Sequence, residues 1–173
     1  MIRRATHSDL NAIMTIVRSA QQYLAELGID QWQDGYPERE VIASDIDAGI
    51  GFVVCDKSNA PKGYVAIVFS GEPAYQQIPQ SQWHTSERYV VVHRICISED
   101  SRRAGLAVKL MRFAESLAIQ SGLDAMRIDT HEGNVRMLAM LDKLGFKYCG
   151  KILYEQGGER VAYDKEISLY NQL

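Results

Sequence analysis

The residues best placed to do chemistry lie in one short stretch. Arg102, Arg103 and Gly105 sit in a loop between an apolar run and an amphipathic run, with His93 upstream. The first run, Tyr89 to Ser98, is rich in branched apolar residues and free of Gly and Pro, which predicts a strand. In the second, Leu106, Leu110, Phe113 and Leu117 recur at three- and four-residue spacing, which predicts a helix with one apolar stripe. A helix start leaves backbone N–H groups without partners and carries partial positive charge, so a loop entering it is a natural anion site. Gly105 allows close backbone approach and the arginines add charged donors, which points to phosphate. His93 has the side chain that titrates nearest neutrality, and so is a candidate proton acceptor.

The loop Arg102-Arg103-Ala104-Gly105-Leu106-Ala107 fits the pattern (Gln/Arg)-x-x-Gly-x-(Gly/Ala), and Asn134 to Phe146 reads NVRMLAMLDKLGF. Together these resemble the acetyl-CoA pyrophosphate loop and the following motif helix of the GNAT superfamily of N-acetyltransferases. The resemblance covers roughly residues 89–150. It implies acetyl transfer from acetyl-CoA, as co-substrate, to a primary amine of a small molecule or peptide. It also implies that N–H groups from Arg102 through Ala104, Gly105 and Leu106 to Ala107 cradle the pyrophosphate. The backbone of Ile95, Cys96 and Ile97 would pair with the pantetheine amides as an added strand does. A main-chain N–H at Ile97 would polarise the thioester oxygen, and Asn134 would reach the co-substrate from the next helix. There are two departures. The family often has Gly where Arg103 stands, and many relatives carry a proton-donating Tyr where this chain has Leu141.

The proton traffic sets further requirements. A lysine-like amine has a pKa of about 10.4, so presenting it neutral at pH 7 costs roughly 4–5 kcal/mol. His93 is the first candidate base. A histidine at the matching position is proposed to act so in the arylalkylamine acetyltransferases of the same superfamily, and strand alternation puts it on the face of Ile97, four residues on. His131 is a second candidate, with a turn role weighing more, and Glu87 and Asp129 follow. For the returning proton, Tyr148 and Tyr154 lie soon after the motif helix, without a spacing that favours either. Trp32, Asp34 and Tyr36 stand in an aromatic and acidic loop that could hold an amine by charge and cation–π contact, or could be a solvated loop anchored by one Trp. The resemblance favours the first reading, because in the superfamily the loop between the first two helices usually helps line the acceptor site. A second reading is a catalytically silent acyl-CoA-binding sensor or interaction module.

The elements around these residues follow one order. A strand at Met1–Ala5 precedes a helix with Leu10, Ile13, Val17 and Leu24 inward and Gly28 at its end. Pro37 suits the first turn of a second helix ending near Asp47. Phe52–Asp56 and Tyr64–Ser70 form a hairpin. Gly71–Glu87 is a long polar connection carrying Trp83, either a second wall of the acceptor pocket or a packed excursion. Ala125–Thr130 is a strand, His131–Gly133 a turn, and Asn134 caps a helix with Met137, Met140, Leu141 and Leu144 inward. Phe146–Leu153 and Arg160–Ile167 are the last strands. The resulting order, β-α-α-β-β-β-α-β-α-β-β, is the superfamily's α/β (α+β) plan, a mixed, mostly antiparallel central sheet flanked by helices.

With 173 residues the chain fits a single domain, 1–173. Its net charge of −3 and lack of a basic run argue against nucleic acid and mildly favour a cationic substrate. Cys55, Cys96 and Cys149 are far apart and lack metal-ligand spacing, so buried free thiols in a reducing compartment are expected and no metal. The first residues lack an apolar signal core and no stretch approaches a membrane span, which predicts a cytoplasmic protein. A homodimer is compatible with the implied fold. The P-loop run and the Gly-x-Gly-x-x-Gly turn of nucleotide-binding proteins are both missing.

Overall fold

A computed structural model describes residues 1–167; residues 168–173 of the expected domain lie outside the described residues. The elements are β1 (Ile2–Arg4), α1 (Leu10–Glu26), α2 (Arg39–Asp47), β2 (Gly51–Cys55), β3 (Pro61–Val68), β4 (Tyr89–Ile97), α3 (Leu106–Gln120), β5 (Ala125–Thr130), α4 (Val135–Lys143), β6 (Lys147–Tyr154) and β7 (Gly158–Glu166). This is the order expected from the sequence. The strands make one sheet ordered β1-β2-β3-β4-β5-β7-β6. Neighbours are antiparallel except β4 and β5, which run parallel.

Strand alternation sorts the core onto two faces. Phe52, Val54, Val65, Ile67, Val90 and Val92 pack with Leu110, Met111 and Ala114 of α3 and Leu141 of α4. On the other face Val53, Cys55, Tyr64, Ala66 and Cys96 pack with Ile13, Met14 and Val17 of α1 and Ile42 of α2. The β3–β4 connection folds over β4, β6 and β7, burying Tyr75, Ile78 and Trp83 against Val91, Cys149, Ile152 and Ala162. All three cysteines are buried and free.

Three local features differ from expectation. Pro37 lies before α2, joined to Tyr36 by a cis peptide, and the helix starts at Arg39 with Glu38 as its cap. The hairpin turn is shorter than expected because β3 already begins at Pro61, and Asp56 closes it by accepting from the N–H groups of Ser58 and Ala60. The third difference bears on the site. Tyr64 pairs with Cys96 but Ala66 pairs with His93, so Arg94 and Ile95 together stand opposite Val65. This is a β-bulge, with Arg94 at φ 55°. The extra residue reverses the alternation. His93 therefore shares the face of Ala66, toward α1, while Ile97 packs with the α3 cluster. The expectation that His93 and Ile97 share one face is thus corrected.

Candidate active site

The parallel pair β4–β5 is joined only at its start, where Tyr89, Val90 and Val91 oppose Ala125, Met126 and Arg127. Beyond Val91 the strands separate: β4 continues to Ile97 and β5 to Thr130, neither pairing with the other. The wedge opens into a cleft of about 1220 Å³, lined by both strand ends, the Ser101–Ala107 loop, α4 and the α1–α2 loop. Along its β4 side, the main-chain groups of Ile95, Cys96 and Ile97 that face away from β3 have no strand to pair with. Such an edge accepts an extended chain of amides.

At one end of the wedge lies the loop before α3. Arg103 and Gly105 both hold left-handed backbone, at φ 69° and 73°. Among the described residues, the N–H groups of Arg103, Gly105, Leu106, Ala107 and Val108 meet no acceptor. Five free donors at a helix start form an anion cradle, and a diphosphate group fits their chemistry. The left-handed turn at Arg103 explains why glycine is at home in such a loop. Arg102 lines the cleft beside the cradle but is partly engaged elsewhere. Its Nη2 donates to Ser19 Oγ at 3.0 Å and to the Ser19 carbonyl at 3.1 Å, and its guanidinium sits 5.0 Å from the Tyr23 ring. Arg102 ties the loop to α1, leaving Arg103 as the exposed cation. Arg136, which sequence reading did not single out, also lines the cleft and lies 4.8 Å from the same ring. Asn134 is at the cleft wall but partly committed to the fold: its Oδ1 accepts from the Met137 N–H at 3.3 Å and so caps α4. Met137 and Met140 line the cleft as well as packing on the core.

At the other end two hydrogen-bonded groups face each other across the wedge. On the β4 side, His93 Nε2 lies 3.0 Å from Glu72 Oε2, and the other Glu72 oxygen accepts from the Ala74 N–H. The His93 bond, before any other cause, lowers the Glu72 pKa below the usual carboxylate value. On the β5 side, Asp129 Oδ2 accepts from the hydroxyls of Tyr75 at 2.9 Å and Tyr154 at 3.0 Å. Burial raises the pKa of Asp129 and that of the Tyr154 phenol. The start of the β3–β4 connection thus does form a wall, through Glu72, while its remainder, with Trp83, is packed on the sheet.

The bulge is fixed by charge. Arg94 donates through Nε and Nη2 to the two oxygens of Asp45, both at 2.8 Å, and through Nη1 to the Tyr36 hydroxyl at 2.6 Å. Tyr64 donates to Asp45 Oδ2 at 2.7 Å. Trp32, Asp34 and Tyr36 all line the cleft, as does Glu38. Trp32 is held at φ 65°, an uncommon conformation for a bulky residue.

The remaining candidates fall away from the cleft or serve the fold. His131 Nδ1 accepts from the Gly133 N–H at 2.9 Å and so closes its turn. Glu87 and Tyr148 do not line the cleft; Tyr148 packs edge-on against Tyr163. Leu141 is fully buried in the core. Glu72 and the Arg94–Asp45 pair had no local signal, since their partners are 21 and 49 residues away in sequence.

A sequence model of the Acetyltransferase (GNAT) family matches residues 13–146. An acetyltransferase of the GNAT family from Streptococcus agalactiae 2603 is 36% identical, with a TM-score of 0.84 over 97% of this chain and 95% of that one. The ribosomal-protein-S18-alanine N-acetyltransferase of Escherichia coli shares the fold at 14% identity, with a TM-score of 0.64 over 98% of this chain and 94% of that one. The GCN5-related N-acetyltransferase 6, chloroplastic, of Arabidopsis thaliana is 31% identical over 80 residues, which are 46% of this chain and only 28% of that protein's length. No helix among the described residues is long and apolar enough to cross a membrane.

Proposed function

Because the chain belongs to the GNAT acetyltransferase family, we propose that it transfers an acetyl group from acetyl-CoA to a primary amine of a small molecule or peptide. The observation that carries this reading is the wedge between β4 and β5, with free backbone donors at its loop end and acid–base groups at its other end. When bound, acetyl-CoA supplies a thioester, an acyl group already activated for attack. The residues of this chain do the rest. The N–H groups of Arg103, Gly105, Leu106, Ala107 and Val108, with the Arg103 side chain, hold the diphosphate. The free edge at Ile95–Ile97 orients the pantetheine amides, and the Ile97 region offers an N–H to the carbonyl oxygen. His93, oriented by Glu72, takes the proton from the acceptor ammonium. Asp34 and Glu38, with Trp32 and Tyr36 beside them, favour a cationic acceptor.

Tyr154 is the group that answers for Leu141. It lines the cleft with its phenol protonated and its O–H donated to Asp129, and in this role that O–H turns from Asp129 to the departing sulfur as the thiolate forms. Tyr154→Phe is expected to lower kcat about 10- to 100-fold while changing the KM for acetyl-CoA less than about threefold. Steady-state kinetics with thiol detection check this, and an unchanged kcat assigns the proton to water.

Mass spectrometry of the protein incubated with acetyl-CoA and a panel of diamines, amino acid amines and peptide N-termini tests the function as a whole. An acetylated amine formed together with free CoA supports the enzyme. Acetyl-CoA binding without product across the panel supports the silent sensor instead. The acidic wall predicts that products appear first among acceptors with a second positive charge. The protein is proposed to work in the cytoplasm as a single domain, and a homodimer fits the fold.

A further inference from the structure

Away from the cleft, the fold brings together three side chains that the sequence keeps far apart. His84 comes from the β3–β4 connection, Cys149 from β6 and Asp164 from β7. His84 Nδ1 lies 3.0 Å from Asp164 Oδ1 and 3.5 Å from Cys149 Sγ, and the three ligand atoms all lie within 4.8 Å of one another. Asp164 is fully buried. Its Oδ2 accepts from the N–H groups of His84 and Thr85 and from the Thr85 hydroxyl, at 2.7, 2.9 and 3.0 Å. Three donors on one oxygen fix the carboxylate and turn the other oxygen toward His84 and Cys149.

A buried carboxylate is costly unless a cation faces it. Among the described residues no Lys or Arg comes within ion-pair distance of Asp164, whose only such partner is His84. Arg127, its register partner on β5, instead places its guanidinium 3.8 and 3.9 Å from the ring centroids of Trp83 and Tyr89. Arg127 acts on Asp164 by charge without touching it, so the group directly against Oδ1 is the His84 imidazole, alone or together with a metal ion. The thiol separates the two. Sulfur adds little to an imidazolium–carboxylate pair, but it is a strong ligand for a borderline-soft metal.

We propose that His84, Cys149 and Asp164 bind a divalent transition-metal ion, zinc by preference. Tetrahedral zinc with bonds of about 2.0–2.3 Å spaces nitrogen and oxygen ligands about 3.4 Å apart and nitrogen and sulfur ligands about 3.6 Å apart. The two separations in the structure, 3.0 and 3.5 Å, lie within a few tenths of an ångström of these. The His84 side chain is 44% exposed, which gives the ion an entry and leaves a fourth position for water. Binding releases the Cys149 thiol proton to solvent and leaves the imidazole proton on Nε2. The thiolate and carboxylate then balance the two charges of the ion. Three segments would be clipped together, among them the connection that carries Glu72 and Tyr75. The proposal does not rest on the acetyl-transfer reading, and its failure leaves that reading untouched.

Untagged protein, purified without chelator, is expected to carry about one zinc per chain, and EDTA is expected to lower its Tm until zinc is restored. Cobalt(II) added to the chelated protein should give thiolate-to-metal charge-transfer absorption in the near ultraviolet. That band should vanish in Cys149→Ser and persist in Cys55→Ser. If Cys149→Ser fails to fold, His84→Ala serves, because its side chain is largely at the surface. Metal content below about a tenth of an equivalent with no cobalt band overturns the proposal. So does a band that survives both substitutions.

Discussion

His93→Ala is expected to lower kcat for acetyl transfer by about 10²–10⁴-fold and to leave the acetyl-CoA Kd within about threefold of native. His93 lines the cleft on the free stretch of β4, and Glu72 holds its ring through a 3.0 Å bond. It belongs neither to the anion loop nor to the α3 start, so its loss should fall on the chemical step. The pH profile supplies an independent readout. Without the imidazole, the reaction depends on acceptor that has already lost its proton, so residual activity should climb about tenfold per pH unit toward the amine's pKa near 10.4. Glu72→Gln keeps a hydrogen-bonding group in place and should cost only about tenfold, because Glu72 positions the base and does not touch the acceptor proton. A kcat within threefold of native in His93→Ala would remove His93 from the mechanism.

Asp45→Ala is expected to destabilise the protein by about 3–5 kcal/mol. Asp45 is the bidentate partner of Arg94, and their side chains are only 7% and 12% exposed. Removing the carboxylate leaves a buried guanidinium with the Tyr36 hydroxyl as its remaining partner, and strips the Tyr64 hydroxyl of its acceptor. Urea unfolding followed by circular dichroism measures the loss. Because the same pair holds the β4 bulge, the variant should also lose acetyl transfer where it remains folded, by releasing His93 from its place. A loss of stability below about 1 kcal/mol would mean that the ion pair contributes little to the fold.

The parts of this fold that were legible in the sequence are the local ones. The strand, loop and helix from Tyr89 to Gln120 declare themselves by branched residues, a glycine and an apolar stripe, and all three stand where they were expected. Asn134 caps its helix as its side chain suggests. What stayed hidden depends on partners distant in sequence. Nothing near Arg94 announces a bulge, because the residue that holds it there is Asp45 on α2. Without the bulge, simple alternation puts His93 and Ile97 on one face. Arg102 reads as a phosphate ligand, and the contact of its Nη2 with Ser19, 83 residues away, had no signal in the sequence. Pro37 reads as a first-turn proline, while the chain uses it in the turn leading into α2. Tyr154 had no spacing to recommend it, since its place beside Asp129 comes from the β5–β7–β6 order of the sheet.

The loop from Arg103 to Val108 is proposed to hold the diphosphate of acetyl-CoA. Calorimetry of acetyl-CoA binding to the native protein, Gly105→Ala and Gly105→Glu tests it most directly. A Cβ at Gly105 meets nothing within 4 Å, so neither substitution is expected to clash, and both bear the same left-handed strain at φ 73°. Only Glu adds negative charge where the diphosphate would sit. Binding by the native protein, retained within about tenfold in Gly105→Ala and lost by about 100-fold or more in Gly105→Glu with the fold intact, is the predicted result. Equal affinities in all three proteins, or no binding by the native protein, would contradict it.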